Sequence, residues 1–344
     1  MDQPPGRFPP TLGPAWPAPT PTPPGSWSLF PLSVDRILQL TFSMFRFGWR
    51  TFIGISLIVT VPATMLVATA QAAVGDELAR AQQAQLDIAF GELPDFGEVF
   101  PLRAVLVSYL SIIVLGVVGY IVTAAVVHAA AVTAAGGRAS IGGSLRVAAR
   151  LLWRLVGIAL AIFFTIIAVI VIGVLIAAAV GIAFGGGFEP GPAVFGILIV
   201  AVATVATVLF VLVRWAFAVQ AATLEGASAS DSLGRSWRLV SGSGWRVLGY
   251  TLLVALLIGL VLLLVGLPIN ILIGSGLDVV GGRVVFNPVT YFASTLLVAL
   301  LSASIAPIPT IALTWLYLDL RWRRGEPLPV PVPGAEAGRY PPDA

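Results

Sequence analysis

Arg146, Arg150 and Arg154 recur at every fourth position, so a helix would align the three guanidiniums along one face. Planar, permanently charged forks in such a stripe suit phosphate. Beside a negative leaflet each contributes about 1 kcal/mol of attraction. Ordinary topology-setting charge would leave the same pattern, and the two readings are compatible. Arg214 is the other cation with a chemical possibility. It follows the 23-residue uncharged stretch 191–213, with Glu225 eleven positions on. It either snorkels to headgroups or faces a cavity, ready for a lipid phosphate or a carboxylate. Three turns separate it from Glu225, so on one straight helix the two share a face without touching. His128, in AAVVHAAAV, is the single histidine. No ligand set gathers around it, and a packed histidine or a proton relay are its two readings. Gln220, Asn270 and Asp319 lie near the ends of apolar runs, where interhelical hydrogen bonding is the default. Gly185-Gly186-Gly187 has no preceding strand and reads as a turn, not a phosphate loop.

The elements that must carry these residues are set by composition. The 344 residues are 58% hydrophobic and 10% charged, with a mean hydropathy of +0.98. A soluble domain carries about 25% charged residues, so the class is a multi-spanning membrane protein. There is no cysteine, which excludes disulfides, thiolate chemistry and Cys-ligated metal. All 19 basic residues are arginine. Codon usage would produce that, and so would selection for phosphate-gripping guanidiniums. Residues 1–31 contain 11 prolines and read as an extended, disordered tail, with a proline-recognising protein as a candidate partner. No apolar segment sits early enough for a signal peptide. The pI of 9.7 comes from membrane-facing arginine, and no nucleic-acid motif accompanies it.

Six charge-free stretches meet the requirement of about 20 residues for a spanning helix: 51–74, 104–135, 155–184, 191–213, 247–277 and 289–318. The fourth continues past Arg214 to about Leu224. Pro62, Pro268, Pro307 and Pro309 fall inside these runs and are expected to kink or break helices. Sixteen arginines fall on one side of the resulting topology and Arg80, Arg103 and Arg283 on the other. The second side also collects Asp76, Glu77, Asp87, Glu92, Asp95 and Glu98. The positive-inside rule therefore predicts cytoplasmic termini, as does the even number of spans.

The arginine-rich side repeats one device. Trp49-Arg50, Trp153-Arg154 and Trp245-Arg246 each precede an apolar run, as WRTFIG, WRLVG and WRVLG. Trp favours the interface and Arg reaches headgroups, so each pair marks where a helix enters the bilayer. Each follows a Ser-initiated amphipathic stretch. The first, SVDRILQLTFSMFRF, begins at Ser33; the second carries Ile141, Leu145 and Leu152; the third carries Leu233, Trp237 and Val240, with Arg235 and Arg238 on its polar side. This predicts three interfacial helices, each feeding a transmembrane hairpin, as a degenerate threefold repeat at about 33–135, 140–224 and 228–320. The fold class is thus all-α, with a disordered tail over 1–31, a six-helix membrane domain over 32–326 and a second disordered tail over 327–344.

SVDRILQLTFSMFRFGWRTFIGI, LEGASASDSLGRSWRLVSGSGWRVLGY and YLDLRWRRGEP resemble the membrane domain associated with glycerophosphodiester phosphodiesterases. The same pattern occurs in many stand-alone bacterial integral membrane proteins, and here the resemblance covers about residues 30–326. In the fused enzymes, catalysis belongs to a separate soluble barrel with metal-binding acids and histidines. Only 18 residues follow Glu326 here, so the barrel is expected to be absent and the resemblance implies the membrane architecture alone.

These readings converge on a non-enzymatic cell-membrane protein without cofactor or metal, which organises or assists lipid or envelope processes. Its candidate contacts to anionic lipid or a partner are Trp49, Arg50, Arg146, Arg150, Trp153, Arg154, Arg214, Arg238, Trp245 and Arg246. The rival is a transporter or lipid-translocating protein, suggested by internal repeats and the proline-broken APIPT segment. A cavity joining Arg214, Gln220 and Asn270 would favour that rival. An intramembrane enzyme would need convergent polar groups plus a nucleophile or metal.

Overall fold

The computed structural model describes residues 31–91, 94–184, 191–274 and 276–330. The proline-rich tail, the Gly185–Gly187 turn and most of the C-terminal tail lie outside the described residues. Among the described residues six segments are long and apolar enough to cross a membrane: Val34–Ala72, Leu102–Ala134, Leu152–Ala183, Val194–Glu225, Gly244–Ile273 and Pro288–Arg323. The protein is therefore a multi-pass helical membrane protein. Large apolar side chains such as Phe164, Leu175, Leu198 and Leu256 stand exposed on its outer faces, which is stable against lipid and not against water.

The first segment is α1 (Val34–Ala72), two helical stretches joined across a kink and capped by Ser33 Oγ on Arg36 N–H at 3.2 Å. Its one non-helical residue is Gly48, not the expected Pro62. The Phe52 ring lies where a Gly48 side chain would stand. The bend thus comes from a missing Cβ, while the helix absorbs Pro62. The acidic connection between the first two spans folds into α2 (Gly75–Ala89) and the short α3 (Phe96–Val99). The second span is α4 (Leu102–Ala134), whose end is a run of small residues. Ala124, Ala125, Ala129 and Ala131 are fully buried, because small side chains let α1, α5, α6, α8 and α13 approach α4 closely.

Helix α5 (Ile141–Arg150) is capped by Ser140 on Gly143 N–H at 3.2 Å and breaks at Leu151 before α6 (Leu152–Phe184). It buries Ser144 and Ala148, while the expected apolar positions Ile141 and Leu145 are only half-buried. Next come α7 (Gly191–Arg214), a turn, and α8 (Ala218–Glu225), so the fourth stretch is two helices rather than one. Helix α9 (Ala229–Val240) is capped by Ser228 on Asp231 N–H at 3.2 Å, and Gly244 then starts α10 (Gly244–Val261). A π-turn at Leu262–Gly266 leads into α11 (Leu267–Ile273). It falls just ahead of Pro268, which has no N–H to give the preceding turn. The sixth stretch is broken as expected, into α12 (Pro288–Ile305) and α13 (Pro307–Arg323). Pro307 and Pro309 occupy the first turn of α13, where free N–H groups are not required.

The all-α expectation needs one correction. Strands β1 (Leu277–Val280) and β2 (Arg283–Phe286) form an antiparallel hairpin through Gly281-Gly282, both at positive φ. A Gly-Gly pair between Val-rich runs is the usual signature of a two-residue hairpin turn. The hairpin packs on α2: Gln83 Oε1 accepts from Val284 N–H at 3.0 Å, and Phe286 lies against Gly75. Gly276, at φ +89°, passes so close to α12 that an added Cβ would sit 2.9 Å from the Tyr291 Cα. Gly276→Ala should therefore loosen this end by about 1–3 kcal/mol, read as faster hydrogen exchange across Leu277–Phe286. Unchanged exchange would show that the close approach is not needed. The packed chain also runs past the expected boundary at Glu326: Arg321 Nη2 donates to Pro327 O at 2.7 Å, and Val330 is buried.

Candidate functional site

The Trp-Arg pairs at 49–50, 153–154 and 245–246 each sit one or two residues beyond an interruption of the helix, whereas Trp237-Arg238 and Trp322-Arg323 lie within α9 and α13. Trp49 follows the bend at Gly48, Trp153 follows the break at Leu151, and Trp245 follows the gap between α9 and α10. Breaking the helix there lets the preceding segment turn away from the span axis. The three indoles are 48%, 82% and 87% exposed.

The candidate arginines divide by what holds them. Arg146, Arg150 and Arg238 are exposed, and the Arg50 guanidinium lies over its own Trp49 ring at 5.4 Å. Arg154 is exposed, yet Nη1 donates to Gly226 O at 2.7 Å, tying the start of α6 to the α8–α9 turn. Arg246 departs from the expected headgroup role. It pairs with Asp319 at 3.0 Å and donates to Leu32 O at 2.6 Å, because a fully buried carboxylate draws the nearest cations inward.

Arg214, at the last position of α7, has its guanidinium carbon 5.0 Å from the Phe210 ring centre and 4.8 Å from that of Trp237. Its Nη1 is buried and donates to no acceptor, and Arg214 forms no ion pair among the described residues. Glu225, which one straight helix would set on the same face, is engaged by Arg321 instead, since the chain turns at 215–217 and carries α8 away. A cavity of about 540 Å³ opens between α7 and the start of α10, with Arg214 in its wall. Neither Gln220 nor Asn270 lines it. Asn270 Nδ2 donates to Gly266 O at 2.9 Å, and Gln220 is buried on α8. His128 Nδ1 stands 3.3 Å from Ser144 Oγ, joining α4 to α5. Among the described residues no three His, Asp or Glu groups gather as metal ligands.

Two charge clusters were not legible in the sequence. In one, Glu225 accepts from Tyr317 Oη, from Arg321 Nη1 at 2.5 Å and from Arg235 Nε at 3.3 Å. Arg235 and Arg321 also pair with Glu326. Burial opposes the Arg235 charge, but the hydrogen bond to Glu326 and the charge of Glu225 outweigh it and raise its pKa above the ordinary arginine value. In the other, Asp319 accepts from Leu32 N–H at 2.7 Å, Arg323 Nε at 2.9 Å and Arg246. Arg324 Nη2 donates to Leu239 O and Ser241 O, closing the C-terminal end of α9. The LEGASASDSLGRSW and YLDLRWRRGEP stretches are thus two halves of one clamp. Their polar residues at fixed offsets were the available signal, but pairing across about 90 residues cannot be read from spacing.

Residues 193–328 match the family model described as the membrane domain of glycerophosphoryl diester phosphodiesterase. That span contains both halves of the clamp and is narrower than the resemblance read over 30–326. No curated protein and no solved structure matches the chain.

Proposed function

We propose, taking a multi-pass membrane domain of this diesterase-associated kind as the premise, that the protein is a non-enzymatic organiser of lipid at the cytoplasmic face of the cell membrane. Both termini lie in the cytoplasm in this reading, which the positive-inside distribution of arginine supports. The Ser33, Ser140 and Ser228 helices are amphipathic elements at the interface, each feeding one hairpin of a threefold repeat. The observation that carries this reading is the triple placement of an exposed Trp beside Arg directly after a helix interruption. A helix that turns at the headgroup layer and presents an indole there is anchored in that layer; of the neighbouring arginines, Arg50 is exposed to meet phosphate, while Arg154 and Arg246 tie their helices to Gly226 and Asp319. Arg50, Arg146, Arg150 and Arg238 supply the contact to anionic lipid. The carboxylates Glu225 and Asp319 are occupied by arginines, which suits a structural role better than acid–base work. The proline-rich tail remains a candidate site for a protein partner.

The test compares the wild type with the Arg50→Gln/Arg146→Gln/Arg150→Gln/Arg238→Gln variant in nanodiscs of mixed phosphatidylglycerol and phosphatidylcholine. Enrichment of phosphatidylglycerol around the wild type should fall by roughly tenfold or more in the variant, at about 1 kcal/mol per arginine. Equal enrichment would reject lipid organisation through these residues.

The transporter reading draws support from the π-turn before Pro268 and the break at Pro307. Against it, the cavity at Arg214 gathers neither Gln220 nor Asn270.

A further inference from the structure

The cavity beside Arg214 has two chemically distinct parts. Ala206, Leu209, Phe210 and Val213 of α7 and Leu248 of α10 form an apolar wall, which Trp245 also lines. Arg214 stands where α7 ends, so the cation occupies the end of the groove nearest the Trp-Arg pair of α10. A snorkelling arginine keeps its nitrogens in water or among headgroups. Here Nη1 is buried without an acceptor, a costly arrangement for a guanidinium, while the side chain as a whole is half-buried on the groove wall. The Phe210 and Trp237 rings offset part of that cost and hold the group in place, but neither ring supplies an anion.

We infer that this groove is a discrete site for one anionic phospholipid, with the phosphate on Arg214 and a length of one acyl chain along the apolar wall between α7 and α10. The inference rests on the reading of this end as lying at a headgroup layer. It concerns a single defined site, whereas Arg50, Arg146, Arg150 and Arg238 act as a diffuse surface. Charge complementarity selects the anion, because the cation has no ion-pair partner among the described residues. The apolar wall selects a chain over free phosphate. At about 540 Å³ the space is within the range of about 300–1,000 Å³ typical of small-ligand sites.

Native mass spectrometry of the detergent-purified full chain tests this, with phosphatidylglycerol, diacylglycerol or inorganic phosphate added separately. One phosphatidylglycerol should bind, with diacylglycerol and inorganic phosphate each at least about tenfold weaker. Arg214→Gln and the groove-filling Leu248→Trp should each weaken the lipid adduct by about tenfold or more, and Arg214→Lys should restore part of it. Arg214→Gln should keep the lipid-free melting temperature, since it removes an unpaired cation, while losing the rise that phosphatidylglycerol gives the wild type. An undiminished adduct in Arg214→Gln and Leu248→Trp overturns the site. Binding of inorganic phosphate as tight as that of the lipid overturns the role of the chain. An adduct lost in Arg146→Gln/Arg150→Gln but kept in Arg214→Gln assigns it to the surface arginines, overturning this inference and leaving the broader reading intact. The converse failure, in which nanodisc enrichment does not depend on the surface arginines while the single adduct persists, rejects only the broader reading.

Discussion

Asp319→Asn is expected to destabilise the protein by about 3–5 kcal/mol, the range for removing one member of a buried charge cluster. The side chain of Asp319 is completely buried. Its two oxygens hold the Leu32 N–H, Arg246 and Arg323 together. The amide is nearly isosteric but carries no charge, and its NH₂ must face at least one donor that the carboxylate accepted. Arg246 and Arg323 would then lie side by side, with Leu32 O as their remaining common acceptor. The melting temperature in mild detergent should fall by about 5 °C or more, and hydrogen exchange at the Leu32 N–H should quicken. A melting temperature equal to that of the wild type would mean that the two arginines find other partners and the clamp is dispensable. Replacing Asp319, Arg246 and Arg323 all by leucine should cost less than Asp319→Asn alone, because no charge is then left unpaired.

Glu225→Gln should have the second largest effect, about 2–4 kcal/mol. Glu225 is the common acceptor of Tyr317, Arg321 and Arg235, so it joins α8, α9 and α13 at one point. Without its charge, Arg235 and Arg321 must share Glu326. A double-mutant cycle with Arg321→Gln separates direct coupling from general loosening. A coupling of about 1–3 kcal/mol is expected, and strict additivity would show that the pair contributes nothing specific. Both effects belong to the architecture. Neither variant should remove lipid bound at Arg214 once the protein is folded, since none of these residues lines that groove.

Membrane class, six spans and the Trp-Arg junctions follow from the sequence alone. Each depends on the energy of single segments: about 20 apolar residues cross the bilayer by themselves, and Ser33, Ser140 and Ser228 cap from the position just before each helix. The same local logic predicted the break at Pro307. It misplaced the bend in α1, because Pro62 is a local signal whereas Gly48 yields to the packing of Phe52. The β hairpin was marked by Gly281-Gly282 but overshadowed by its apolar neighbours.

Which arginines are free was decided only by tertiary structure. Arg146 and Arg246 both fall on the arginine-rich side, and sequence alone makes each a candidate contact for anionic lipid. In the folded protein Arg146 is exposed, whereas Arg246 is captured by a carboxylate 73 positions away. Arg214 and Glu225 share a face on paper, yet a three-residue turn sends one to an aromatic pocket and the other to a cluster with Arg321. The physical reason is range. Apolar burial and helix capping act within a segment, while a buried charge is satisfied by whichever opposite charge the packed helices bring within about 4 Å.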